Sequence, residues 1–137
     1  MSAIKKPLLG MSLPELKEVA KSLGMPAFTG GQIANWIYKQ HVSSIDEMTN
    51  ISKSNREKIS NAYTVGCLPY ADCQRSVDGT IKYLFPTAAG KYIETVYIPD
   101  KDRATLCVSS QVGCKMNCLF CQTGKQGFQE NLPASDI

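Results

Sequence analysis

The chain has 137 residues, of which 43% are hydrophobic and 20% are charged. This length suits one ordinary domain or two small ones, and the composition lies near the globular average, which excludes a disordered chain. The net charge of +3 is too small by itself to indicate a nucleic-acid partner. No stretch approaches the ~20 apolar residues of a membrane span, so we expect a soluble, cytoplasmic protein with no membrane partner.

The positive charge is concentrated in the first half of the chain. Residues 1–65 hold eight Lys and Arg against five Asp and Glu, whereas residues 66–137 hold seven of each. A solvated helical surface accounts for such a bias more often than an RNA footprint does. Both interpretations therefore stay open at this point.

Four segments of the first half have the apolar spacing of helices. Three begin with a predicted capping box, a Ser or Thr followed three residues later by Glu or Gln. The pairs are Ser12 and Glu15, Thr29 and Gln32, and Ser44 and Glu47. The fourth helix is predicted to start near Ser52, and Gly24 should end the first. The predicted inward residues are Leu16, Val19, Ala20, Leu23, Ile33, Trp36, Ile37, Ile59, Ala62 and Tyr63. We predict a helical domain over residues 1–65.

After Gly66 the pattern changes from helical spacing to alternation. Ile81, Tyr83 and Phe85 alternate with other residues directly after Asp78-Gly79, a strong hairpin signal. Further strands are predicted over residues 91–98, ending at Pro99, and over residues 104–109. We therefore predict a β-hairpin region that starts a second domain over residues 66–137.

Three of the six cysteines, Cys114, Cys118 and Cys121, lie within eight residues of one another. This clustering fits metal binding in a reducing compartment better than a disulfide framework. Their spacing lets one loop present three thiolates to a 4Fe-4S cluster and leaves one iron open. The open iron is able to take the amino and carboxylate groups of S-adenosylmethionine. The sequence therefore predicts a radical-generating cluster site.

A zinc site or an electron-transfer cluster would need a fourth protein ligand. The only histidine, His41, lies far upstream in the helical half, but Cys107 could supply a fourth thiolate. A structural metal site therefore stays open as an alternative.

The segment from Cys114 to Cys121, with Phe120 at its aromatic position, resembles the signature of the radical S-adenosylmethionine superfamily. Residues 103–114, 121–132, 28–38 and 46–50 resemble the RlmN/Cfr family of adenine methyltransferases, so the likeness covers nearly the whole chain. The resemblance implies an α+β N-terminal part that leads into the first strand and cluster loop of a partial TIM barrel. It further implies that this chain is an N-terminal fragment, inactive by itself.

The resemblance also implies an activity. The full-length enzyme would methylate adenine carbon 2 in 23S ribosomal RNA and in tRNA, using a 4Fe-4S cluster, S-adenosylmethionine and a methylated cysteine outside this chain. Its expected partners are these RNAs and an electron donor such as flavodoxin, and we expect a monomer. The alternatives are methylation at carbon 8, known from the other branch of the family, and a non-catalytic module that binds RNA and metal.

Glu94 and Cys107 are the candidate catalytic residues outside the cluster motif. The strand periodicity places Glu94 on one face with Tyr92, Val96 and Ile98, where it could simply be an exposed glutamate. The resemblance instead implies that Glu94 is a proton acceptor. Cys107 lies in an apolar run, where a buried structural thiol is the usual interpretation. The resemblance instead implies that Cys107 resolves a covalent RNA adduct by forming a disulfide with the methyl-carrying cysteine.

The remaining candidates favour structural roles. Cys67 and Cys73 match no motif and are predicted to be packing residues. Trp36 and Tyr38 have the spacing of core aromatics more than of RNA-stacking ones. The segment at 123–127 lacks the glycine spacing of a phosphate-binding loop, and residues 133–137 are predicted to start a helix.

Overall fold

The computed structural model describes residues 5–137, which divide into two compact units. The first unit ends at Cys67, and the second runs from Leu68 to Ile137. Within residues 5–137 no helix is long and apolar enough to cross a membrane.

The first unit is built mainly from helices. They are α1 (Leu13–Ser22), α2 (Phe28–Tyr38), a short 3-10 helix (Ile45–Glu47) and α3 (Lys53–Ala62). Two short strands, β1 (Lys6–Pro7) and β2 (Tyr63–Thr64), pair in parallel and were not predicted. The largest fully buried core side chains are Leu8, Leu16, Ile33, Met48 and Ile59. Ala62 is exposed, so its predicted inward position is wrong.

Two of the three predicted capping boxes are confirmed. The Glu15 carboxylate accepts hydrogen bonds from the Ser12 amide at 2.7 Å and the Ser12 hydroxyl at 2.6 Å. At the start of the 3-10 helix, the Glu47 carboxylate accepts from the Ser44 amide at 2.9 Å and the Ser44 hydroxyl accepts from the Asp46 amide at 3.3 Å. The box at Thr29 is wrong, because α2 already starts at Phe28 and Thr29 is buried in its first turn.

Helices α1 and α2 approach each other closely at Gly30. A Cβ atom at that position would lie 2.6 Å from the backbone Cα and N of Lys17. Glycine is therefore needed for this approach, whereas the neighbouring Gly31 has open space around it.

The second unit contains a four-stranded antiparallel sheet. Its strands are β3 (Asp72–Arg75), β4 (Ile81–Pro86), β5 (Tyr92–Asp100) and β6 (Arg103–Cys107), in that order. The predicted Asp78-Gly79 turn joins β3 to β4, and Gly79 has a φ of 86°. β5 runs on through Pro99, contrary to the prediction. Proline is tolerated there because the pairing with β4 ends at Tyr97, so no hydrogen bond to that strand is lost.

A small antiparallel pair covers part of one face of this sheet. β7 (Gln111–Val112) pairs with β8 (Glu130–Asn131), and a short helix, α4 (Gln122–Lys125), lies between them. Val112 and Leu132 pack against Ile93 and Phe85. Residues 133–137 form a turn in place of the predicted helix, and the Asp136 carboxylate accepts from the Ala88 amide at 3.1 Å. The architecture is thus mixed α and β, and residues 5–137 contain no closed barrel.

Candidate active site

The three clustered cysteines lie on the loop between β7 and α4. All three are free thiols and partly buried. The loop closes through a hydrogen bond of 3.1 Å from the Cys121 amide to the Cys118 carbonyl. The Met116 amide donates to the sulfur of Cys114 at 3.4 Å. These two hydrogen bonds hold the backbone of the loop on which the three thiols lie.

Two glycines allow this turn to close. At Gly113, which has a φ of +73°, a Cβ atom would lie 1.7 Å from the Gly127 carbonyl oxygen. At Gly124 a Cβ atom would lie 2.9 Å from the Cys118 amide nitrogen. These glycines therefore permit close backbone contact at the two ends of the loop.

The surrounding backbone lowers the pKa of the Cys121 thiol. The backbone amide of Gly124 is the main cause of a pKa below its ordinary value of 9.0, and Thr123 adds a smaller contribution. Hydrogen bonds to the charged form of a group favour that form. Because the thiolate is the species that binds metal, this shift supports ligation by Cys121.

The donor set fits an iron-sulfur cluster. Among residues 5–137, no three His, Cys, Asp or Glu side chains converge closely enough to hold a single metal ion. A cubic cluster instead takes its thiolates on different iron atoms, so three soft donors spread along one loop suit it.

Large apolar side chains lie exposed on the same loop. Phe120, at the aromatic position of the motif, is 94% exposed, and Met116 and Leu119 are exposed as well. Lys115 lies over the ring of Phe128, with its Nζ 4.5 Å from the ring centroid. The loop thus presents apolar surface next to its thiols.

Glu94 and Cys107 lie on one face of the antiparallel sheet. Cys107 on β6 pairs with Val96 on β5, and Glu94 precedes Val96 by two residues. Alternate residues of a strand point to the same face, so Glu94 and Cys107 are diagonal neighbours, with about 7–8 Å expected between such positions. Cys107 is exposed, so the interpretation as a buried structural thiol is wrong.

Glu94 is held by two contacts that the sequence did not reveal. Its carboxylate pairs with Lys82 on β4, with 3.1 Å between Nζ and Oε1. Its backbone carbonyl accepts a hydrogen bond of 2.8 Å from the Ser109 hydroxyl, just beyond β6. Lys82 could have been predicted as the partner of Glu94 only from the strand register, in which Leu84 pairs with Glu94 and Lys82 pairs with Val96.

The other singled-out residues have mixed outcomes. Trp36 packs partly buried against the helical core, as expected. Tyr38 is more exposed than a core residue, but its hydroxyl accepts from the Gly10 amide at 2.9 Å and donates to the Met11 carbonyl at 2.7 Å. Tyr38 therefore stabilises the position of the segment before α1. Cys67 and Cys73 are exposed, so their predicted packing roles are wrong.

The chain is similar to several known proteins. A family model described as the ribosomal RNA large subunit methyltransferase N-terminal domain matches residues 6–65. The chain is 59% identical over 133 residues to a probable dual-specificity RNA methyltransferase RlmN from Bacteroides fragilis, covering 97% of this chain and 39% of that protein. It is 58% identical over 130 residues to the protein of the same name from Porphyromonas gingivalis, covering 95% of this chain and 38% of that one.

A solved structure is also similar. The crystal structure of a radical SAM methyltransferase from Sphaerobacter thermophilus matches with a TM-score of 0.85 and 38% identity, over 93% of this chain and 38% of that one. The chain spans about 39% of the length of the curated relatives it matches. Over the share of those proteins that it spans, the chain is similar to proteins named RlmN and to a radical SAM methyltransferase.

Proposed function

We propose that this chain is the cluster-binding part of a radical S-adenosylmethionine enzyme that methylates adenine carbon 2 in 23S ribosomal RNA and in tRNA. One observation carries the proposal: a three-cysteine loop follows directly on an exposed sheet face that bears Glu94 and Cys107. The similarity to proteins named dual-specificity RNA methyltransferase supports the choice of substrates.

Cys114, Cys118 and Cys121 would supply the three thiolates that bind a 4Fe-4S cluster. When bound, the cluster and S-adenosylmethionine supply the 5′-deoxyadenosyl radical that starts the methyl transfer. The loop's own contribution is to keep Cys121 available as a thiolate through the Gly124 amide. In the whole enzyme, the exposed apolar side chains of the loop would be covered and would exclude water from the site.

Glu94 and Cys107 would complete the transfer. Glu94 would accept the proton from adenine carbon 2 after that carbon has taken up the methylene group. The unpaired electron left on the ring would pass to a one-electron acceptor, a chemistry that a bound iron-sulfur cluster would supply. The Cys107 thiolate then attacks the sulfur of the methyl-carrying cysteine, which lies outside this chain. A sulfur–sulfur bond forms while the carbon–sulfur bond breaks, its electron pair stays on the carbon, and a proton completes the methyl group.

The first unit would bind RNA. Its excess of Lys and Arg and its match to the N-terminal domain of a ribosomal RNA methyltransferase family support this role. Phosphate contacts from such side chains provide affinity without reading sequence. The enzyme would work in the cytoplasm as a monomer, with an electron donor such as flavodoxin.

The test is a chimera in which this chain replaces the matched segment of the Bacteroides fragilis relative. With reductant, S-adenosylmethionine and unmodified 23S RNA or tRNA, nucleoside analysis should detect 2-methyladenosine. Glu94→Gln and Cys107→Ala should each abolish that product, while cluster content and release of 5′-deoxyadenosine persist. Formation of 8-methyladenosine would favour the alternative, and no methyladenosine from a chimera that holds its cluster would contradict the proposal.

A further inference from the structure

Lys82 is the only side chain among residues 5–137 that forms an ion pair with Glu94. The lysine lies on β4 and the glutamate on β5, diagonally across the strand pair, with 3.1 Å between Nζ and Oε1. Both side chains lie on the sheet face that also carries Cys107. The contact is therefore made at the candidate catalytic face and not at the edge of the sheet.

The fold does not depend on this pair. The side chains of Lys82 and Glu94 are 44% and 59% exposed. Ion pairs between such exposed groups contribute little to stability, because water screens them and two long side chains lose freedom in forming them. A stabilising role alone therefore gives no strong reason for a lysine at this place.

We infer that Lys82 is a positioning residue for the proton-accepting carboxylate. A lysine ammonium has three donors and no acceptor, so it binds a carboxylate oxygen and cannot take a proton. Lys82 binds Oε1 of Glu94 and so limits the rotation of the carboxylate that is to accept the adenine proton. The Ser109 hydroxyl donates to the backbone carbonyl of Glu94, so the strand that carries this side chain is held as well.

This inference rests on the proposed function, since it assumes that Glu94 takes the proton. Its consequence is specific to one step: loss of Lys82 should slow proton removal without affecting cluster assembly or cleavage of S-adenosylmethionine. Misplacing a catalytic group by about 1 Å is able to cost roughly 100-fold in rate. We expect a loss of about 10- to 100-fold in the Lys82→Met variant.

The experiment uses the chimera described above with Lys82→Met and Lys82→Arg. Lys91→Met is the matched control, because Lys91 forms a comparable pair with Glu130 at 3.6 Å. Single-turnover assays measure 2-methyladenosine, 5′-deoxyadenosine and the covalent protein–RNA adduct on denaturing gels. Lys82→Met should lose methyladenosine, keep deoxyadenosine within about 2-fold and accumulate adduct, while Lys82→Arg restores most of the product.

The outcomes separate the two proposals. An active chimera in which Lys82→Met forms methyladenosine at the rate of Lys91→Met would overturn the role of Lys82 alone. Equal losses of deoxyadenosine and methyladenosine, or a loss of methyladenosine that saturating RNA restores, would also overturn it, since a positioning role predicts neither. A parent chimera that forms no methyladenosine would instead contradict the proposed function.

Discussion

Replacing Gly30 by alanine should destabilise the helical unit, whereas the same change at Gly31 should not. A Cβ atom at position 30 would lie 2.6 Å from two backbone atoms of Lys17 and 2.8 Å from the Leu16 carbonyl carbon. Carbon atoms in contact prefer about 3.5–4.0 Å, so α1 and α2 must separate by roughly 1 Å. The obstacle is backbone, so no side-chain rotation relieves it.

The size of the effect follows from two opposing contributions. Overpacking a well-packed contact costs about 1–3 kcal/mol. Alanine in a helix interior gains back up to about 1 kcal/mol over glycine. With the full gain subtracted, the net loss for Gly30→Ala should be up to about 2 kcal/mol. Gly31→Ala meets nothing within 4 Å and should be neutral or more stable by up to about 1 kcal/mol.

Urea unfolding of the whole chain measures this difference. Trp36 is the only tryptophan and lies on α2, so its fluorescence reports the first unit. Gly30→Ala should shift the unfolding midpoint to lower urea, and Gly31→Ala should leave it unchanged or raise it. A Gly30→Ala variant as stable as Gly31→Ala would refute the close approach of α1 and α2.

Three further predictions concern single contacts. Gly113→Ala should abolish cluster assembly, measured as iron bound after anaerobic reconstitution, because its Cβ would lie 1.7 Å from the Gly127 oxygen; Gly90→Ala, with nothing within 4 Å, should not. In metal-free protein, the pH midpoint for alkylation of Cys121, measured by mass spectrometry, should lie below 9.0 and should return to about 9.0 in urea. The lowered pKa reflects hydrogen bonds to the thiolate, which stabilise the folded loop above pH 9.0 and are lost as the pH falls. Equal midpoints with and without urea would contradict this prediction. Tyr38→Phe should cost about 1 kcal/mol by Trp36 fluorescence, because the Gly10 amide and Met11 carbonyl lose their partner, and an unchanged midpoint would show that water replaces it.

Local signals predicted much of the fold. The Ser12 and Ser44 capping boxes and the Asp78-Gly79 turn each depend on a few adjacent residues, and all three are present. The strands β1 and β2 have two residues each and no periodicity, so their pairing could not be predicted. Thr29 was misassigned because a turn from Pro26 starts the helix earlier, with the Thr29 amide donating to the Pro26 carbonyl at 3.0 Å.

The candidate site was also predictable from the sequence only in part. The spacing of Cys114, Cys118 and Cys121 identified the loop, since their order along the chain determines which residues share a turn. Cys107 was expected to be buried from its apolar neighbours, but β6 lies at the edge of the sheet and is exposed along its length. The Lys82–Glu94 pair depends on the register between two strands, which no local pattern of this sequence specifies.

The central claim is that this loop binds a 4Fe-4S cluster through three cysteines, and the most direct test is iron and sulfide analysis of anaerobically reconstituted protein. The account predicts about four iron and four sulfide per chain, and loss of both in Cys114→Ala, Cys118→Ala and Cys121→Ala. Cys67→Ala and Cys73→Ala, which change exposed thiols outside the loop, are the matched controls and should keep the cluster. Full iron and sulfide content in all three loop variants would contradict the account.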